Sequence, residues 1–183
     1  MDIKLTINED GVLEKAEFAD ASISIPEGVR NIGDGEFCDP VGLEEIVIPY
    51  GVTVIGDGAF AVCDYILSAV IPDGVVSIGN KAFYDCYSLI GVTMTDSVTR
   101  IGNEAFAECN QLANIVLSNC LTSVGDKAFA WCESLTEVTI PGSVTHIGEK
   151  AFYGCGPDLV IRAPAGSLAE QYATENGINF TAI

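Results

Sequence analysis

The stretch Ile140-Pro141-Gly142-Ser143-Val144-Thr145-His146-Ile147-Gly148-Glu149-Lys150-Ala151-Phe152-Tyr153-Gly154-Cys155 recurs along most of the chain. Copies begin at Ile25, Ile48, Ile71, Met94, Leu117 and Ile140, each 23 residues after the last. Phenylalanine keeps this step at Phe37, Phe60, Phe83, Phe106, Phe129 and Phe152. Glycine keeps it from Gly33 to Gly148, and cysteine at Cys63, Cys86, Cys109, Cys132 and Cys155. A fixed period of this size marks a solenoid, in which each unit buries its apolar face against its neighbours.

Within a unit three pieces are predicted. Leu135 to Ile140 ends in the apolar–polar alternation of a half-buried strand, and Pro141 stops its pairing. Val144 to Ile147 reads as a short second strand ended by Gly148. Lys150 to Cys155 reads as one or two helical turns, with Ala151, Phe152 and Cys155 sharing an apolar face. The residue after the glycine is Asp34, Asp57, Asn80, Asn103, Asp126 or Glu149. Five of the six are helix N-cap types; a carboxylate ladder for calcium is the competing reading, interrupted by Asn80 and Asn103. The expected fold is thus an α/β repeat of six 23-residue units, each with a strand in one parallel sheet, a short second strand and a short helix. Right-handed crossover is the general rule for parallel strands joined this way.

The ends differ. Residues 1–24 alternate through Ile3, Leu5 and Ile7 to Asp10-Gly11 and on to Val12, Leu13 and Phe18, the pattern of a capping hairpin. The repeats occupy 25–162. In 163–183, Ser167 and Glu170 match a capping box, a helix runs from Leu168 to about Asn176, and Gly177 ends it.

The repeat string, together with Ala163-Pro164-Ala165-Gly166-Ser167, Tyr172-Ala173, Asn176-Gly177-Ile178 and Phe180, resembles the BspA-like leucine-rich repeat. The resemblance implies a right-handed leucine-rich-repeat solenoid with a concave sheet. It also implies a bacterial secreted or cell-surface protein that adheres to host proteins or other cells. The chain departs from the pattern at Pro40, with Cys38 two residues early, at Thr95 and Ser118 in place of proline, and at Asp158.

The 183 residues carry eight Lys and Arg against 26 Asp and Glu, a net charge of −18. Nucleic acid and anionic membrane surfaces need a basic footprint, which is missing. No apolar run reaches the ~18 residues of a membrane span, and Met1 to Ile7 does not read as a signal peptide. The acidity serves solubility or a basic partner.

Catalytic chemistry finds little support, and no enzyme activity and no cofactor are expected. The one histidine, His146, holds a variable position facing solvent. The periodic cysteines pack on the apolar face as reduced thiols. A straight row spaced ~5 Å apart does not make a tetrahedral zinc site. Cys120 stands apart at a turn position.

Surface remains. On the concave strands Glu45, Ser68, Gly91, Asn114 and Glu137 should point outward beside Val47, Val70, Thr93, Val116 and Thr139. Exposed valines are either β-propensity or an apolar strip rimmed by glutamate that binds a partner. Trp131 is a second candidate, as an interface anchor or as packing on the next unit. The expected function is a non-enzymatic protein- or glycan-binding module. A structural, self-associating segment of a larger surface protein is the alternative.

Overall fold

The computed structural model describes residues 4–17, 22–35, 37 and 43–183. Cys38 and Pro40, the departures of the first repeat, lie outside these residues, as do Ile3 and Phe18. The chain opens with β1 (Lys4–Ile7) and β2 (Val12–Glu17), an antiparallel pair. It then winds so that longer strands alternate with two-residue ones. The longer strands are β3 (Ser22–Ser24), β5 (Glu45–Val47), β7 (Ser68–Ile71), β9 (Gly91–Met94), β11 (Asn114–Val116), β13 (Glu137–Thr139) and β15 (Val160–Ala163). The short ones are β4 (Asn31–Ile32), β6 (Val54–Ile55), β8 (Ser77–Ile78), β10 (Arg100–Ile101), β12 (Ser123–Val124) and β14 (His146–Ile147). Helix α1 (Leu168–Asn176) and β16 (Asn179–Ala182) close the chain.

The 23-residue period appears directly as strand register. Asn31 pairs with Val54, Val54 with Ser77, Ser77 with Arg100, Arg100 with Ser123 and Ser123 with His146, all parallel. These strands form one eight-stranded sheet, ordered β1-β2-β4-β6-β8-β10-β12-β14. The second strand of the opening hairpin doubles as a rung, because Val12 and Leu13 pair in parallel with Asn31 and Ile32.

The helical turns expected in each unit are not helices; α1 is the one α-helix among the described residues. Alternate N–H groups point to the next rung instead of back along a helix. Phe60 N–H donates to Ala82 O at 2.7 Å and Val62 N–H to Tyr84 O at 2.7 Å, whereas Ala61 N–H closes a local turn on Gly58 O. Aiming the amides this way turns the backbone left-handed at two positions per unit. Val62, Asp85, Glu108 and Trp131 fill one, and Lys81, Glu104, Lys127 and Lys150 the other. Such residues cost roughly 1–2 kcal/mol each; the inter-rung ladder holds them there.

The predicted N-cap column is likewise a ladder between rungs. Asp57 Oδ1 accepts from Asn80 N–H at 2.7 Å, Asn80 Oδ1 from Asn103 N–H at 2.8 Å and Asn103 Oδ1 from Asp126 N–H at 2.9 Å. Asp and Asn suit it for the reason they suit caps: a short side chain with an acceptor near the backbone. The adjoining glycines have ordinary φ, so space explains them. A Cβ on Gly125 would lie 2.5 Å from the Gly102 carbonyl carbon and 2.6 Å from Asn103 N.

Inside, the phenylalanines form a continuous stack, with ring centroids 5.0–5.4 Å apart from Phe37 to Phe152. Beside it each periodic cysteine donates its thiol proton to the phenylalanine carbonyl of the preceding rung, as from Cys86 to Phe60 O at 3.1 Å and from Cys132 to Phe106 O at 3.2 Å. Where Thr95 and Ser118 replace proline, hydroxyls brace the turn instead: Thr95 Oγ1 pairs with Ser97 Oγ, and Ser118 Oγ accepts from Cys120 N–H.

Helix α1 starts and stops as its sequence predicts. Ser167 Oγ accepts from Glu170 N–H, and Gly177 is left-handed at φ 67°. The helix presents Tyr172 to the open end of the stack, edge-on to Phe152 with centroids 6.0 Å apart. In each preceding rung the phenylalanine N–H meets the next unit's alanine carbonyl, as Phe129 meets Ala151. Phe152 has no next unit; its N–H donates to the Tyr172 hydroxyl at 3.3 Å. Removing that oxygen leaves a buried donor unpaired, which costs about 1–3 kcal/mol. Tyr172→Phe is therefore expected to lower the unfolding free energy by this amount, read as a lower urea midpoint, while the helix persists by circular dichroism. A midpoint unchanged from wild type would remove the hydroxyl from the capping account.

Candidate functional site

The longer strands carry the sequence-predicted residues on one face. Alternation decides their direction, since Ile46, Ala69, Val92, Ile115 and Val138 take the buried positions. Glu45, Ser68, Asn114 and Glu137 are exposed and Gly91 half-buried in one row; Val47, Val70, Thr93, Val116 and Thr139 are exposed in the next. Parallel register aligns the rows, with Ser68 opposite Gly91 opposite Asn114, and Val70 opposite Thr93 opposite Val116. The valines are 48% (Val47), 63% (Val70) and 58% (Val116) exposed. Thr93 separates Val70 from Val116, so the row holds one valine pair and one single valine.

The same face holds residues that the period alone did not single out. Leu67 and Ile90 are exposed just ahead of β7 and β9. Their neighbours Ile66 and Leu89 fill the core position, which forces them outward; that doublet was the available signal. Tyr50, at 82% exposure, follows β5. Arg162 extends the valine row by one rung, opposite Thr139, and its guanidinium lies 3.3 Å from Glu137.

Trp131 is on a different side. Its ring stands edge-on to Tyr153, centroids 5.3 Å apart, and lies so close over Gly154 that a Cβ there would fall 2.5 Å from the indole. It is packed on the next unit and still 40% exposed.

The remaining candidates for chemistry are dispersed. His146 is exposed on β14 and Cys120 is exposed at its turn. Burial pushes the Cys109 and Cys132 thiols well above the usual range and the Cys155 thiol up to about 12, so they are held neutral. Among the described residues, no three His, Cys, Asp or Glu side chains gather at a point where they could hold a metal. None of the described helices is long and apolar enough to cross a membrane.

A stack of parallel rungs built on a 23-residue apolar repeat, with a row of variable residues along one exposed face, defines a leucine-rich-repeat solenoid. The family model for the BspA type leucine rich repeat region matches residues 30–157 in six copies, and the chain belongs to this family. A solved structure agrees in fold: a leucine-rich repeat protein from Eubacterium ventriosum ATCC 27560 aligns with a TM-score of 0.60 and 24% identity, over 81% of this chain and 47% of that one. One from Bacteroides ovatus ATCC 8483 aligns at 0.46 and 23% identity, over 100% and 66%. A leucine rich cell surface protein from Faecalibacterium prausnitzii A2-165 aligns at 0.44 and 16%, over 98% and 93%. The chain thus spans about half the length of the Eubacterium protein. No curated protein matches the sequence.

Proposed function

We propose that the chain is a non-enzymatic protein-binding module, an adhesion or interaction unit whose long-strand face receives the partner. The supporting observation is the valine row: side chains about half exposed or more, carried on hydrogen-bonded strands whose positions are fixed by the stack beneath. Apolar side chains held rigid on a sheet lose little conformational freedom when a partner covers them, so most of their burial energy goes to binding. Leucine-rich-repeat solenoids commonly serve as protein-interaction modules, and the partner class here includes host matrix proteins, cell-surface proteins and glycans. A secreted or cell-surface location belongs to the same proposal and rests on family membership.

The test is a screen against extracellular-matrix proteins and glycans with the wild type and a Val47→Lys, Val70→Lys, Val116→Lys triple variant. The expected result is a wild-type ligand whose affinity falls roughly tenfold or more in the variant, with the fold retained. Undiminished binding by the variant would move the site off this face. The self-associating scaffold is a second reading, favoured by β16, the outermost strand of its sheet, whose far edge has no neighbour among the described residues. Sedimentation that shifts with dilution would support it.

A further inference from the structure

The long-strand face is not hydrogen-bonded throughout. Pairing runs β3-β5, then β7-β9-β11, then β13-β15-β16, so it is interrupted between β5 and β7 and again between β11 and β13. A groove opens at each interruption. The first, about 410 Å³, lies among Glu45, Val47, Tyr50, Val70, Pro72 and Asp73. The second, about 380 Å³, lies among Asn114, Val116, Leu117, Glu137, Thr139 and Pro141.

The two grooves differ in charge. Glu45 and Asp73 have no ion-pair partner among the described residues. They flank Val47, Val70 and the exposed Tyr50 ring, an arrangement that takes the apolar stem of an arginine or lysine and then its cationic head. In the second groove Glu137 is already engaged by Arg162 at 3.3 Å, and the lining left is uncharged, with Val116, Leu117 and Pro141 offering an apolar seat beside Asn114, Asn119 and Thr139. The net charge of −18 adds long-range attraction for the same kind of ligand.

The spacing selects the form of the ligand. Three rungs separate the grooves, about 14 Å at the usual strand spacing. An extended peptide advances about 3.3 Å per residue and shows one face at every second residue, so residues four apart share a face about 13 Å apart. Residues three apart face opposite ways. Between the grooves the surface is low: Gly91 has no side chain, and a Cβ there would meet only Asn114 O, at 3.7 Å.

We propose that this face binds one extended peptide segment laid along the solenoid axis, with an arginine or lysine in the Glu45–Asp73 groove and an aliphatic side chain four residues away in the Val116–Pro141 groove. The assignment rests on the long-strand face being the binding face and adds the chemistry and register of what it binds.

Fluorescein-labelled synthetic peptides with one Arg and one Leu in a serine–threonine background provide the test, read by anisotropy at low and high salt. The pair is placed four residues apart in either order, or three apart. One of the four-apart orders is expected to bind roughly tenfold tighter than the three-apart peptides. A Glu45→Gln, Asp73→Asn variant should lose that advantage and most of the salt dependence. Equal affinity at both spacings, or a double variant that binds like wild type, overturns the proposal. If no peptide binds but a protein ligand is lost in the triple valine variant, the peptide reading falls and the face stands. If that ligand is kept by the valine variant, both fall.

Discussion

Replacing Phe106 by alanine will cost about 3–5 kcal/mol, the range for deleting a buried aromatic side chain. The ring has no exposed surface and sits between two others, with centroids 5.2 Å from Phe83 and 5.4 Å from Phe129. Neither neighbour can close the gap, because each is held by its own backbone ladder to the adjoining rungs. A domain of this kind is stable by about 5–15 kcal/mol, so one ring is more than half of the lower figure. The substitution also has a consequence particular to a solenoid. Each unit contacts only its neighbours, so a break in mid-stack uncouples the two halves. Amide exchange should therefore quicken in the Phe83 and Phe129 rungs while the terminal rungs hold their protection, and urea unfolding should lose its single transition. Phe106→Leu keeps much of the apolar volume without the ring and should lie between wild type and alanine. A loss under about 1 kcal/mol for alanine, the scale of an ordinary substitution, would mean that the stack is not the core of the fold.

The stack was legible because burial repeats at one register. Phe, Cys and Gly recur every 23 residues, and nothing but superimposed rungs puts equivalent residues in one column. The reason for each column was less legible. Ala151, Phe152 and Cys155 fit one face of a helix, yet three positions in five residues are too few to separate a helical period from a stacked turn. What decided between them was hydrogen bonding to a rung 22 residues away, which no local pattern reports. The same holds for Asp57 and Asn80: their side chains do what N-caps do, on a backbone amide one full turn along the solenoid. The Gly102 column could be read as punctuation from sequence, whereas the structure makes it a matter of contact between rungs.

On the candidate face, alternation alone was enough to direct Val47, Val70 and Val116 outward. Tyr50 and the exposed member of the Ile66–Leu67 doublet required knowing where each strand begins and ends. The interruptions between β5 and β7 and between β11 and β13 have no signature in the repeat. Both lie between rungs rather than within one, and so the grooves were invisible until the rungs were in place.

Alkali will unfold this protein earlier than acid-base chemistry on its surface would suggest. Cys109, Cys132 and Cys155 are held neutral by burial, the last with its thiol pushed up to about 12. In the unfolded chain the same thiols ionise near pH 8.5–9. Below that value both states carry the proton, and the stability these groups contribute is fully present. Above it the unfolded chain sheds protons that the folded chain keeps. Each such thiol then removes about 1.4 kcal/mol per pH unit. Cys109 is offset by its hydrogen-bonded neighbour Cys86, whose thiol is pulled the other way. Cys132 and Cys155 therefore set a slope of about 3 kcal/mol per pH unit. Tyr172, whose hydroxyl burial also pushes upward, adds to the slope above pH 10. A stability of 5–15 kcal/mol is therefore exhausted within a few units of pH 9. Urea midpoints between pH 7 and 11 should be level at first and then fall steeply. Cys132→Ala will be weaker at neutral pH, since it loses a packed thiol and its bond to Phe106 O, but its decline in alkali should be about half as steep. That divergence separates titration from packing, because a cavity lowers the whole curve without changing its slope. A wild-type midpoint that stays level to pH 11 would mean the thiols ionise in place, which the apolar column and its thiol-to-carbonyl bonds do not allow.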